Sequence, residues 1–557
     1  MSVNILTPVS LWEGFYIEAP ISFRSLVKKT ENGVVSEYLR IDGRSVGKEK
    51  VNIFALFKKP ENFKSGPAVL ISSDPEFSVS ESFSDRLVKE GYAVLAVDIG
   101  GKREDGKPYT VYPDEISFAN FLENKDNLFS VKTSVKDTCW YEWGAVLRYA
   151  YAFLRSIKGV NRIGAIGVKY GANPLFYLAS IEKDVKAFVS ILNAGWSSYN
   201  GIDAFGETVE PEFSDETCAF VAGAEPQSYA SRILCPTLIL SALNSKEFKP
   251  ERAHETSFRI PDEVYSCVNF SVGYEEAVDK QAFSNIVVFL ENFLKKKKLT
   301  FISEPKLSLE IEGGKIIVNV NANKKDLADV SVYFSEEIKS AEDRTFEMAV
   351  KVKEDGLKRV FEYKPYAYSK NVIAFAKARY LNGFEISSPI SFKELNPQAF
   401  LPSSKNKIMY SGRILGAESV FSANVPAETF IDADGDYAPI VKKGPMDIEG
   451  VYSSYGLKTK RVLRLKDAPD KDSILIFDVF SANANTIKVT LTVKNEVEEI
   501  NYSASVNING GNVWYNAKLE AVKFKTEEGR ILREYKGITS IKIEGMGEYL
   551  INNVLWV

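Results

Sequence analysis

The chain has 557 residues, 45% hydrophobic and 26% charged, and its 74 acidic and 70 basic side chains leave a formal charge of −4. That length predicts three or four domains at about 150 residues each. The composition excludes wholesale disorder, and the lack of a basic surplus argues against a nucleic-acid partner. Four cysteines (Cys139, Cys218, Cys235, Cys267) without a CxxC pair predict neither a zinc site nor a disulfide framework. The single histidine, His254, excludes a multi-histidine metal centre and leaves one candidate for any Ser-His-Asp or Cys-His chemistry.

The stretch 1–20 has no basic segment followed by an apolar core, and no window approaches about 18 consecutive apolar residues. The expectation is a cytoplasmic chain with no membrane partner.

In chain order, Val51–Phe57 and Ala68–Ser72 read as strands, Ser82–Glu90 as a helix capped at Gly91, and Tyr92–Asp98 as a strand buried on both faces. A long amphipathic segment, Cys139–Lys158, precedes the strand Arg162–Gly167 and the helix Asn173–Ile181. Strands Ala187–Leu192, Pro236–Ala242 and Val264–Ser271 follow, with a helix over Asp279–Lys295. This alternation predicts a mostly parallel, three-layer α/β sheet. The run Lys295–Lys298 is expected to be a solvated helix end.

The period then changes to 2. Leu307, Leu309 and Ile311 run to Gly313-Gly314 and return through Ile316, Val318 and Val320, and Ile373–Tyr380 turns at Asn382-Gly383 into Phe384–Ile386. About 95 such residues suggest an immunoglobulin-like β-sandwich. From residue 396 a larger all-β region, with strands at Ile474–Phe480, Ile487–Val493, Tyr502–Asn507 and Val513–Leu519, fits a jelly roll. The expected domains are 1–298 (with N-terminal strands), 299–395 and 396–557.

The most informative stretch is Arg162-Ile-Gly-Ala-Ile-Gly-Val-Lys-Tyr-Gly-Ala-Asn-Pro174. A strand entering Gly-x-nucleophile-x-Gly and then a helix resembles the nucleophile elbow of the α/β-hydrolases, with Gly167 and Gly171 permitting the sharp turn. The resemblance covers roughly residues 50–297 and is closest to the acetyl-xylan-esterase and dienelactone-hydrolase-like branch. It implies a serine, aspartate or cysteine at the elbow's centre, where this chain has Lys169. It implies an acid after the strand ending at Ala242, where Asn244 or Ser245 stands, and a histidine after the last strand, where Glu275 and Glu276 stand. The glycine-rich oxyanion loop is replaced by Ser72-Ser73-Asp74-Pro75. His254 falls instead on the segment linking the last two strands, away from the elbow. A lysine makes imines with carbonyls and does not fit acyl transfer from an elbow, so no catalytic residue is expected. Lys169 is expected to pair with Glu275 or Glu276 and fill the old cleft.

Other motifs are weaker. Trp140 and Trp143 share a helix face and read as packing, and Gly100–Gly106 follows no phosphate-loop pattern. Asp432, Asp434 and Asp436 have the acidic density of a calcium loop without its spacing. The runs Gly444–Gly450 and Gly456–Thr459, the Trp514 strand and Tyr549–Trp556 resemble galactose-binding-like jelly rolls, which implies sugar contact through Trp514 or Tyr515. These two alternate across their strand, so one of them faces any shared groove. The combined expectation is a catalytically silent hydrolase relative that binds a carbohydrate or small molecule, or acts as a scaffold, without a cofactor. The competing readings are an active carbohydrate esterase using Ser72, Ser73 or Ser245, and a structural protein that forms homo-oligomers.

Overall fold

The computed structural model describes residues 3–17, 20–197, 214–245, 248–271, 278, 280–297, 303–323, 325–336, 344–365, 369–396, 406–412, 417, 420–423, 439–464, 466–495 and 498–557. Nine strands form the first sheet: β1 (Phe23–Glu31), β2 (Val34–Val46), β3 (Glu49–Pro60), β4 (Gly66–Ser72), β5 (Ala93–Val97), β6 (Val160–Val168), β7 (Val185–Ile191), β8 (Thr237–Ala242) and β9 (Ser266–Ser271). Their order is β1-β2-β3-β5-β4-β6-β7-β8-β9. β1, β2, β3 and β5 pair antiparallel, and every pairing from β5 through β9 is parallel. Leaving β1 aside, this is the α/β-hydrolase order, with its one reversed strand near the start and its crossed third and fourth strands.

The buried strands carry apolar side chains on both faces, as a sheet covered on both sides requires. Ala68, Leu70, Ala93 and Leu95 join the core under the helices Cys139–Ser156 and Asn173–Ile181, together with Trp140, Trp143 and Phe176. Their neighbours Val69, Ile71, Val94 and Ala96 face the helices Glu81–Lys89 and Lys280–Phe293 through Phe83, Leu87, Ile286 and Leu290. The sequence pattern missed the length of the N-terminal meander. β1 is exposed at all nine positions, so no apolar face marks it in the sequence.

Two all-antiparallel units follow. In the first, Lys306–Glu312, Lys315–Asn321, Lys358–Tyr363 and Val350–Asp355 make one sheet, and Glu347–Met348, Leu327–Glu336, Asn371–Tyr380 and Glu385–Ser387 another. The expected hairpin over Gly313-Gly314 is present in the register Glu312↔Lys315. In the second unit, a sheet running from Ile440–Lys443 through Leu550–Trp556 to Tyr515–Leu519 encloses a core with a second sheet of Ser422–Ala423, Leu457–Thr459, Ile538–Gly545, Asn485–Lys494 and Glu499–Ile508.

Polar side chains join the units. Asn285 donates to Glu385 O (3.1 Å) and accepts from Glu385 N (2.9 Å). Ser387 Oγ accepts from Phe270 N and donates to Asn269 Oδ1. Between the two β units, the Glu347 carboxylate meets Arg461, Arg464 and Lys466, and Arg461 Nε also donates to Asp467 at 3.0 Å. Burial alone would raise the Glu347 carboxyl, but the three cations hold it well below the usual carboxylate range. A depressed carboxyl stabilises the fold above its unfolded value of about 4.3, and that contribution is lost as the pH falls further. Glu347→Gln is therefore expected to lose about 3–5 kcal/mol at pH 7, because it strands buried cations. The gap from the unsubstituted chain should narrow below about pH 4 in denaturant titrations. A gap independent of pH would remove the ion-pair account.

Candidate functional site at the end of β6

The turn from β6 into the helix Asn173–Ile181 is held by backbone contacts that leave no room for side chains. A Cβ on Gly167 would lie 2.3 Å from Ala172 Cα, and one on Gly171 would lie 2.1 Å from Ser73 O. Lys169 takes φ = 47°. That left-handed conformation costs a non-glycine residue roughly 1 kcal/mol. The strained strand-to-helix elbow that the sequence predicted is present, with a half-buried lysine at its tip.

A buried polar network supports this turn from below. Asn193 Nδ2 donates to Lys169 O (2.8 Å) and to Asn173 Oδ1 (2.6 Å), and Asn193 Oδ1 accepts from Gly195 N (2.7 Å). Asn173 Nδ2 donates to Ser197 Oγ at 2.7 Å, and Ser190 Oγ donates to Asn193 O at 2.8 Å. Ser197 N in turn donates to the buried Glu225 carboxylate. Sequence reasoning missed this network. Its one visible signal is the Asn193-Ala-Gly195 step that follows the apolar run of β7.

The loop after β4 packs against the same turn. Ser72 and Ser73 are buried, and their hydroxyls have no hydrogen-bond partner among the described residues. Arg103 braces this loop from the neighbouring one: its guanidinium donates to Glu76 O (2.6 Å), Phe77 O (2.7 Å) and the Asp98 carboxylate. Asp98 also accepts from Thr110 N at 2.7 Å. Arg103 lies in the glycine-bearing loop 100–106, whose role is thus structural.

The loop after β8 is tied to the first β unit. Asn244 Nδ2 donates to Arg344 O in the first β unit, and Arg344 makes a bidentate pair with Glu251 at 2.8 and 2.9 Å. Burial alone would raise the Glu251 carboxyl, yet the paired guanidinium carries it below its ordinary value. Ser245 Oγ accepts from Phe248 N. His254 lies on the helix Glu251–Ser257, as the sequence placed it. Its Nε2 sits 3.3 Å from Ser387 O and 3.4 Å from Glu304 Oε1, and its ring lies 5.4 Å from that of Phe270. These partners are all at the junction with the first β unit, so the lone histidine is not brought to the elbow.

Glu275 and Glu276, named as partners for Lys169, and Asp432, Asp434 and Asp436, named as a calcium loop, lie outside the described residues. Among the described residues no group of three or more His, Cys, Asp or Glu side chains is placed to hold a metal ion. Burial pushes the Cys235 thiol up to about 12, and Cys139 and Cys267 higher still, which removes thiolate character from all three. Trp514 covers Gly444 and Gly450, each of whose Cβ would lie 2.8 Å from the indole, and its Nε1 donates to Pro445 O. Tyr515 Oη donates to Gly510 O, and its ring packs on the core between the sheets. No helix among the described residues is long and apolar enough to cross a membrane.

No family model and no curated protein sequence matches the chain. Among solved structures it is similar to an acetyl xylan esterase from Paenibacillus sp. R4, with 15% identity over 49% of this chain and 89% of that one and a TM-score of 0.36. It is also similar to acetyl xylan esterase 1 from Thermoanaerobacterium sp. (15% identity, 50% and 89%, TM-score 0.36). A cold-adapted esterase from an Arctic intertidal metagenomic library shows 13% identity over 48% of this chain and 97% of its own, with a TM-score of 0.32. The strand order and the elbow, rather than these weak likenesses, identify the fold.

The close approach at Gly171 makes a direct prediction. Gly171→Ala should lower stability by at least about 2 kcal/mol in chemical denaturation, since the new methyl meets backbone that cannot yield. An unchanged midpoint would show that the loop after β4 is not wedged against the turn.

Proposed function

We propose that this chain is a hydrolase-fold protein that does not hydrolyse esters at its elbow and that works by binding and holding other molecules. The observation that carries the reading is the pair of replacements at the heart of the fold. An amine stands at the strained tip, and the acid position is an asparagine tied to Arg344 in a neighbouring unit. Acyl transfer needs a nucleophile, a base and an orienting acid within hydrogen-bond reach of one another. The lone histidine instead packs at the junction, beyond use as that base.

The two β units extend the same reading. We take residues 299–395 as an immunoglobulin-like connector and 396–557 as a galactose-binding-like jelly roll. Paired antiparallel sheets around an apolar core support both assignments. On this reading the third unit meets the ligand, a carbohydrate being the class its architecture favours. The first two position it.

One observation favours a second reading. The hydroxyls of Ser72 and Ser73 are buried beside the elbow with no hydrogen-bond partner among the described residues, and a buried hydroxyl without a partner is costly. An esterase acting through these serines is the active alternative.

A fluorophosphonate probe and p-nitrophenyl acetate separate the two. The full chain is expected to show no stoichiometric labelling and no turnover above buffer, and Lys169→Ser alone should not restore either, because no histidine reaches the elbow. Stoichiometric labelling mapped to Ser72, Ser73 or Ser245, with turnover lost on changing that serine, would establish the esterase.

A further inference from the structure

The hydrolase-like unit and the first β unit enclose a cleft of about 590 Å³ at their junction. One wall is the segment 257–266, which leads from the helix Glu251–Ser257 into β9. The other is the segment 303–307 with Pro389 and Ser391. Small ligands bind preferentially in clefts of this volume between units, where apolar walls carry a few converging polar groups. This cleft has both.

The apolar part is rigid. Pro261, Pro305 and Pro389 each have a fixed φ, and Phe258 stands with them at the end of its helix. Phe258 is 64% exposed, more than any other phenylalanine among the described residues. Its ring is apolar area that a ligand in the cleft would cover.

The charged part consists of Asp262, Glu304 and Lys306. Glu304 Oε1 is buried without a hydrogen bond among the described residues. Its one ion-pair contact there is His254 Nε2 at 3.4 Å, and an imidazole is charged only when protonated. The Glu304 side chain as a whole is 20% exposed and lines the cleft. Asp262 and Lys306 make no ion pair among the described residues. Pro305 favours extended backbone at Glu304. At about 3.3 Å per residue, Glu304 and Lys306 are then anchored roughly 7 Å apart on one side of the chain.

We propose that this cleft binds a small zwitterion with an apolar body, of the class of free apolar or aromatic amino acids. Its ammonium meets Glu304 and Asp262, and its carboxylate meets Lys306. Its side chain lies against Phe258 and the prolines. All three charges of the cleft then gain a partner, and the apolar wall is covered. A simple amine leaves Lys306 facing it as a like charge, and a simple carboxylate faces two. A neutral sugar matches none of the charges. A hard metal ion needs about six oxygen ligands, and two carboxylates beside a lysine do not supply them. The elbow and the third unit take no part, so this site is additional to those already proposed.

The test is isothermal titration calorimetry of the full chain with L-phenylalanine, glycine, phenethylamine and 3-phenylpropionate. Phenylalanine should bind. The others lack the ring, the carboxylate or the ammonium, and each should bind at least about tenfold more weakly. Lys306→Ala should bring phenylalanine down to the level of phenethylamine and leave phenethylamine no weaker. Glu304→Gln should weaken phenylalanine about tenfold and leave 3-phenylpropionate no weaker. Phe258→Ala should weaken phenylalanine severalfold. Lys306 and Phe258 are exposed, so their variants stay informative even if Glu304→Gln disturbs the junction. The site is ruled out if phenylalanine does not bind, or if phenethylamine or 3-phenylpropionate binds as tightly. Normal binding by Lys306→Ala or Phe258→Ala rules it out too. So does loss of binding in Lys169→Ala or Trp514→Ala, which would move the ligand to the elbow or the third unit. The ester assay reads the elbow alone, so failure here is separable from failure there.

Discussion

The buried pair between Glu251 and Arg344 is the constraint on which the arrangement of the first two units turns. Neither charge is tolerable without the other, because a lone ion in that setting loses its hydration without replacement. The pair acts together with the contacts of Asn285 and Ser387 to seat the first β unit on the hydrolase-like unit. Arg344 O accepts from Asn244, so the loop after β8 is held by the same side of the junction. The helix that begins at Glu251 carries His254 into contact with Ser387 and Glu304. One interdomain contact thus engages both the loop after β8 and the one histidine of the chain.

The elbow shows how backbone geometry and chemistry part company. Its shape depends on two glycines, a positive φ and the amide of Asn193, none of which performs a reaction. These features form a packing problem shared by β6, the following helix and the loop after β4. A change at any one of them would disturb all three. The turn constrains the backbone of Lys169 and not the identity of the side chain at its tip.

Much of this was readable in the residues, for reasons specific to each. Continuous apolar runs such as Ala93–Val97 marked the parallel strands because a sheet covered on both faces leaves no polar position. The elbow was legible because only glycine meets its steric demands at 167 and 171. β1 left no trace, since all nine of its residues are exposed and hydrophobic periodicity has nothing to report. The Arg344–Glu251 junction was equally silent: its partners are 93 residues apart, and neither carries a local motif. What Trp514 packs on was not legible, because a large aromatic on a strand looks the same in sequence whether or not it roofs over glycines such as Gly444 and Gly450.

The exposed first strand has a further consequence for the molecule in company. A sheet that ends in an open strand offers its unpaired amides and carbonyls to any neighbouring chain. Here that border carries Arg24, Lys28 and Lys29, and a bulge between Ser25 and Val27 breaks its register with β2. Charge and irregularity of this kind are what blunt a sheet edge as a flat template for another strand. The strand that hydrophobic periodicity could not report is thus the one whose charges matter most at the sheet's border.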